Sequence, residues 1–240
     1  MASTIPLSTT IAVVQTFLRS APLTGVGGVI GEPSLTNATY VAGVLLSPPF
    51  AWRWNRASGS FTTNPGTQDY TVNLPNFGWL EKASLIDTTV DNITSQELEV
   101  VLNLGIERAP NNPARISARL DDDLGNITFR LSPPPHEQMT INFDYQLAAP
   151  TFTSTSQTWS PIPDYLSWLF TEGFLAKAYE YWGDERYPTT MQLFIASLIG
   201  ANGGLSDSQI NIFMQDRINS NRESQTESVS QVTRRGKGLF

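Results

Sequence analysis

The sequence predicts an α+β protein in which an antiparallel β sandwich or barrel is inserted between N-terminal helices and a C-terminal helical bundle. Two changes of period carry this reading. Apolar residues recur at helical spacing up to Leu45, alternate from Phe50 to about Thr155, and return to helical spacing after Pro161. The bounds that follow are 1–49 for the first helices, 50–157 for the β domain, 158–220 for the second helical part and 221–240 for a flexible tail.

Ser8 can cap a first helix in which Ile11, Val14, Phe17 and Leu18 repeat, and Pro22 requires it to stop by Ala21. The glycine-rich stretch LTGVGGVIGEP has no GxxxxGK[ST] pattern and no strand before it, so it reads as a connector rather than a phosphate loop. Pro33 opens a second helix with Leu35, Ala38, Val41 and Leu45 facing inward, and Pro48 with Pro49 ends it.

Strands are expected where apolar and polar residues alternate between turn clusters. Phe50, Trp52 and Trp54 begin the series, followed by Tyr70, Val72 and Leu74, then by Leu98, Val100, Leu102 and Leu104. Ile116 to Leu120, Ile127 to Leu131 and Met139 to Leu147 complete it, with DDDLGN at Asp121 to Asn126 as a hairpin turn.

Pro161 to Gly183 is the longest segment with a single reading. Pro163 suits a first helical turn, Asp164 puts negative charge at the positive end of the helix dipole, and Gly183 supplies the stop. Leu166, Leu169, Phe170, Gly173, Phe174, Ala176, Tyr179, Tyr181 and Trp182 run most of the way round, so this helix must be covered on several sides. Pro188 begins another helix that ends at Gly200, Gly203 and Gly204. Ser206 with Gln209 forms a capping box for a last one carrying Ile210, Phe213, Met214 and Ile218.

Composition excludes several functions. Charged residues make up only 15% of the chain and the net charge is −7, which argues against a broad phosphate-gripping surface and for large buried or interfacial area. Without cysteine there is no thiolate metal site, disulfide or cysteine nucleophile. The N-terminus lacks the basic start of a secretion signal, and no apolar run reaches the length of a bilayer span, so a product made in the cytoplasm with no membrane partner is expected.

No residue set makes a convincing catalytic or metal site. His136, the only histidine, lies in the proline-rich loop SPPPHEQ, and Asp121, Asp122 and Asp123 lack the EF-hand spacing. Glu97 with Glu99, or Glu180 with Glu185, could be drawn as an acid and base pair, a pattern that many proteins contain by chance. Asn37, Asn92 and Asn126 sit in N-x-[ST] triplets, which carry little meaning without a secretion signal. Trp52, Trp54 and Trp79 fall on alternating faces that build a core, while Trp159, between linker and helix, could seal a joint. No enzyme, cofactor or metal is expected.

The segment order PPFAWRWNR, YTVNLPNFGWLEKASLID, GNITFRLSPPP and IPDYLSWLFTEGFLAKAYEYWGDERYPTTMQLFIASLIGANGGLSDSQINIF resembles structural proteins of tailed bacteriophages. Among these it is most similar to head-to-tail connector or adaptor proteins of the tail tubular protein A type, over roughly Ser34 to Met214. The resemblance implies a homo-oligomeric ring, a dodecamer by analogy, at the head-to-tail junction of the virion. It also implies a portal protein and a tail or nozzle protein as partners, with DNA only as passing cargo.

Under that resemblance the tail residues Arg234, Arg235, Lys237, Leu239 and Phe240 are the expected portal anchor, and Phe170, Phe174 and Trp182 the expected subunit-packing residues. An acidic subunit suits a conduit, because a lumen that repels phosphates lets DNA slide. The rival reading is a carbohydrate-binding or adhesive β module of a phage tail, built on the tryptophans. A hydrolase using Glu97 or Glu180 stands third.

Overall fold

A computed structural model describes residues 3–18, 32–87, 94–122 and 124–200. The expected last helix and the tail lie outside them. Among the described residues, four helices, α1 (Leu7–Gln15), α2 (Glu32–Leu46), α3 (Ser167–Trp182) and α4 (Tyr187–Leu198), flank seven strands. These are β1 (Arg56–Thr62), β2 (Asp69–Asn73), β3 (Phe77–Asp87), β4 (Thr94–Val100), β5 (Arg115–Leu120), β6 (Asn126–Ser132) and β7 (Thr140–Leu147).

The strands form one sheet in the order β1-β7-β3-β4-β5-β6-β2. It curls until its two edges meet: Phe61 on β1 stacks on Tyr70 of β2 at 5.0 Å between ring centroids and on Phe129 of β6 at 5.4 Å. The result is a nearly closed barrel filled by Leu85, Leu98, Ile116, Ile127, Phe129, Ile141 and Phe143. Along β7, buried Ile141, Phe143 and Tyr145 alternate with half-buried Asn142 and Asp144, as a strand with one wet face requires.

The barrel is mixed, not purely antiparallel as expected. Residues 101–114 loop out and return Arg115 beside Glu99, so β4 and β5 pair in parallel over Glu99↔Arg115 and Val100↔Ile116. Only a long connection permits this. It also ends the alternation read through Leu104: past Val100 the chain leaves the sheet, Leu102 is fully exposed, and the Leu104 carbonyl accepts from Arg130 Nη1 at 3.1 Å. The DDDLGN turn does close the β5–β6 hairpin, with the Asp121 amide donating to the Asn126 carbonyl at 2.8 Å.

Two strands escaped the sequence reading, and one expected strand is absent. β1 is short of apolar residues, and β3 is bulged between Phe77 and Trp79 and between Leu80 and Lys82, which breaks its period of two. Phe50 to Trp54 is a corner that passes into a 3-10 turn at Arg53–Asn55. Its aromatic alternation reflects burial at the joint between barrel and helices. There the Trp52 indole donates to the Leu45 carbonyl at 2.7 Å and the Trp52 amide to Gln146 Oε1 at 3.1 Å. Buried Gln146 in turn donates to Glu81 Oε2 at 2.7 Å, and Arg56 pairs with the same carboxylate.

Helices from both sides of the barrel share one core. Leu7, Val14, Ala38, Val41, Leu45, Trp159, Leu169, Phe170, Phe174, Phe194 and Leu198 belong to a single buried cluster. Trp159 is at its centre: its ring stacks on Phe170 at 4.4 Å and 13°, and its indole donates to Thr10 Oγ1 on α1 at 2.8 Å. The joint it seals is therefore between the N-terminal segment and α3.

The Ser/Thr stretch before Trp159 is not a loose linker. Carbonyls of Gln157 and Thr155 accept from the amides of Leu7 and Ser8 at 2.8 and 2.9 Å, satisfying first-turn donors of α1. The helix therefore starts at Leu7 after Pro6, and the expected cap at Ser8 is replaced by backbone from far along the chain.

Asp164 has a similar long-range role. Its carboxylate accepts from Ser3 Oγ at 2.5 Å, from Thr4 Oγ1 at 2.6 Å and from the Thr4 and Ile5 amides at 3.0 and 3.2 Å, tying the N-terminal arm to the entrance of α3. These donors, led by Ser3 and Thr4, hold the carboxyl down to about 2 from an ordinary 3.8.

Two predictions follow from this closure. Trp159→Ala removes the ring at the centre of the helical core and is expected to cost about 3–5 kcal/mol in denaturant unfolding. Because the Asp164 pKa is lowered on folding, its stabilisation is complete above about pH 4 and is lost as pH falls toward about 2. The melting-temperature gap between wild type and Asp164→Asn should be constant near neutrality and close across that window. A gap unchanged down to pH 2 would show that the carboxylate contributes nothing.

Candidate assembly interface

The α3 helix was expected to need cover on several sides, and the chain supplies most of it. Leu169, Phe170, Gly173, Phe174, Ala176, Ala178 and Tyr179 are buried, with α1, α2 and α4 packed around them. Gly173 permits the closest approach: a Cβ there would lie 2.7 Å from the Phe194 ring and 3.0 Å from Val41 Cγ1. Phe170 and Phe174 thus belong to the protomer's own core, each with no exposed surface.

Trp182 is placed differently. α3 ends in a Schellman turn, with Gly183 left-handed at φ 64°, its amide donating to the Glu180 carbonyl at 3.1 Å and the Asp184 amide to the Tyr179 carbonyl at 3.0 Å. This turn fixes Tyr181 and Trp182 at the corner between α3 and α4, 53% and 44% exposed, in an edge-to-face pair with centroids 5.1 Å apart.

Charged groups rim the corner and are held in place. Arg186 pairs with Asp184 through Nε and Nη2 at 2.9 and 2.6 Å and lies 4.2 Å from the Tyr179 ring centroid. That pairing lowers the Asp184 carboxyl to about 2 and raises the guanidinium. Lys177 pairs with Glu180 and sits over the Tyr40 ring at 4.2 Å. Exposed aromatics ringed by ordered charges have the composition of an interface hot spot.

Other apolar side chains also face outward: Val13 on α1 and Phe17 in the turn after it, Leu193, Ile195 and Ile199 near the end of the chain's described part, and Leu102 and Ile106 on the 101–114 loop. That loop is anchored, with Gln68 Nε2 donating to the Gly105 carbonyl at 2.9 Å and Glu107 Oε1 accepting from Ser132 Oγ at 2.5 Å. The expected anchor residues Arg234, Arg235, Lys237, Leu239 and Phe240 lie outside the described residues.

The residues once considered for chemistry do not converge. Glu97 and Glu99 are exposed on the outer face of β4, Glu180 is tied to Lys177, and half-exposed His136 lies 3.3 Å from Glu137. Asp122 is used by the hairpin, accepting from the Leu124 and Asn126 amides at 3.0 and 3.1 Å, and Asp123 is outside the described residues. No group of three or more His, Asp or Glu capable of holding a metal occurs among the described residues. Trp52 is buried and Trp79 donates its indole to the Leu46 carbonyl at 3.1 Å, so the tryptophans behind the sugar-binding reading serve the joint.

A barrel carried on a helical core thus leaves apolar side chains facing outward at the α3–α4 corner and elsewhere. The SU10 adaptor protein family model matches residues 43–223, and the chain belongs to that family of phage head-tail adaptors. A search of curated proteins finds no match. The chain is therefore a phage structural adaptor and a virion component.

The burial pattern separates two kinds of aromatic on α3. Phe170→Asp is expected to unfold the helical core, whereas Trp182→Asp should change stability by about 1 kcal/mol or less, as for other surface substitutions. If Trp182 belongs to an interface, that variant remains a folded monomer under conditions where wild type assembles, as sedimentation velocity would report. Undiminished assembly of Trp182→Asp would remove the corner from the interface.

Proposed function

We propose that this adaptor forms a homo-oligomeric ring between portal and tail, through which the genome passes. The observation that carries the reading is membership of a head-tail adaptor family in a chain whose folded protomer leaves aromatic and aliphatic side chains outward at fixed positions. Closed rings need two complementary flanks per subunit, and the Tyr181–Trp182 corner is one such flank. The net charge of −7 supports a conduit for DNA, since phosphates slide past an acidic wall and stick to a basic one.

In this reading the partners are the portal above and a tail or nozzle protein below. The basic and apolar end of the chain, Arg234 to Phe240, grips the portal. The barrel is an inserted module that needs no chemistry of its own.

Negative-stain images of the full chain mixed with purified portal should show rings with a central opening, and a stable monomer indifferent to portal would overturn the proposal. Deleting residues 234–240 should leave circular dichroism and melting unchanged while weakening portal association at least about tenfold, the equivalent of about 1.4 kcal/mol. Equal association by the truncated chain would exclude the anchor.

A further inference from the structure

Two surfaces of the protomer present apolar side chains on rigid supports. The first is the 101–114 loop, where Leu102 is fully exposed and Ile106 is 78% exposed. The backbone that carries them is pinned. The Leu104 carbonyl accepts from Arg130 Nη1 at 3.1 Å, the Gly105 carbonyl from Gln68 Nε2 at 2.9 Å, and the Asn111 amide donates to the Pro134 carbonyl at 2.8 Å. The second surface is the Tyr181–Trp182 corner, fixed by the turn at Gly183.

Their positions keep the two apart within one chain. Gln68 and Pro134 border the barrel end where Thr62 pairs with Thr140, whereas the helices join the barrel at the other end of the same strands, beside Arg56 and Gln146. The seven residues of β1 separate those ends by roughly 20 Å.

Each surface also has a charge left over, and the two are opposite in sign. On the loop, Glu107 is taken by Arg115, while exposed Arg108 has no ion-pair partner among the described residues. At the corner, Lys177 is paired with Glu180 and Arg186 with Asp184, which leaves exposed Glu185 without an ion pair among the described residues. An apolar centre with an uncompensated charge at its edge is half of an interface, and these two halves are complementary.

We propose that the 101–114 loop of one copy docks on the α3–α4 corner of a second, with Leu102 and Ile106 against Tyr181 and Trp182 and Arg108 beside Glu185. The inference rests on the ring reading and supplies its second flank. Because the contact joins two different surfaces it is head-to-tail, so an open string of copies keeps a free loop at one end and a free corner at the other until the ring closes. The wet ion pair at the rim sets orientation and encounter rate, and the apolar side chains supply the affinity.

The chain has no cysteine, so introduced thiols report the contact cleanly. Arg108→Cys and Glu185→Cys chains are treated with a short bismaleimide, separately and as a mixture, with purified portal present, and the products are separated on a denaturing gel. The mixture should give a covalent dimer at least about tenfold above either variant alone, and adding Leu102→Asp to the Arg108→Cys chain should cut that yield by about the same factor. All three sites are exposed, so circular dichroism of each variant should match wild type. Equal yields from single variants and mixture, no dimer in the mixture, or a yield indifferent to Leu102→Asp would each overturn the docking. Negative-stain images separate this from the ring itself: rings without the mixed dimer remove the loop contact and leave the ring, whereas a mixed dimer without rings keeps the contact and removes the ring.

Discussion

Trp159 joins parts of the chain that the barrel separates. Its ring lies flat on Phe170 of α3 while its indole reaches Thr10 of α1, and the backbone just before it accepts the first amides of α1. Asp164 adds a charged clasp on the arm that precedes α1. Stacking, a buried hydrogen bond and a multiply bonded carboxylate thus converge where the chain returns from the barrel. The helical core depends on that return, because neither flank alone could cover an α3 that is apolar on several sides.

Once α3 is covered, what remains exposed becomes informative. A helix that is apolar all round could have been finished by neighbouring subunits, but Phe170 and Phe174 are finished by the protomer itself. The Schellman turn at Gly183 then holds Tyr181 and Trp182 at a corner where no element among the described residues buries them. Rigid, preplaced aromatics lose little entropy on binding, which suits the partner surface of an adaptor. The barrel is attached through Trp52, Gln146, Glu81 and Arg56, a hydrogen-bonded joint that orients it without merging the two cores.

Much of this was legible in the sequence for local reasons. Helix breakers and caps marked α2, α3 and α4, and clean alternation marked β2, β5, β6 and β7. Phage adaptor membership was legible from segment order. The remainder depends on contacts between distant residues. β3 hides its period behind two bulges, β1 owes its place to pairing with β7, and the parallel β4–β5 contact depends on the path of the 101–114 loop. Asp164 looked like a dipole partner for its own helix because sequence cannot display Ser3 and Thr4 beside it. Tryptophan alternation at Trp52 and Trp54 imitated a strand because a corner that buries aromatics can have the same spacing.

The central physical claim is that the two flanks of the barrel form one cooperative helical body. Native-state amide exchange followed by NMR through a denaturant series measures this directly, because each amide reports the free energy of the opening that exposes it. Amides of Val14 on α1 and of Phe170 and Phe174 on α3 should merge into a single opening event with a common free energy and denaturant slope. An α1 that opens independently, well below the free energy of α3, would contradict the account.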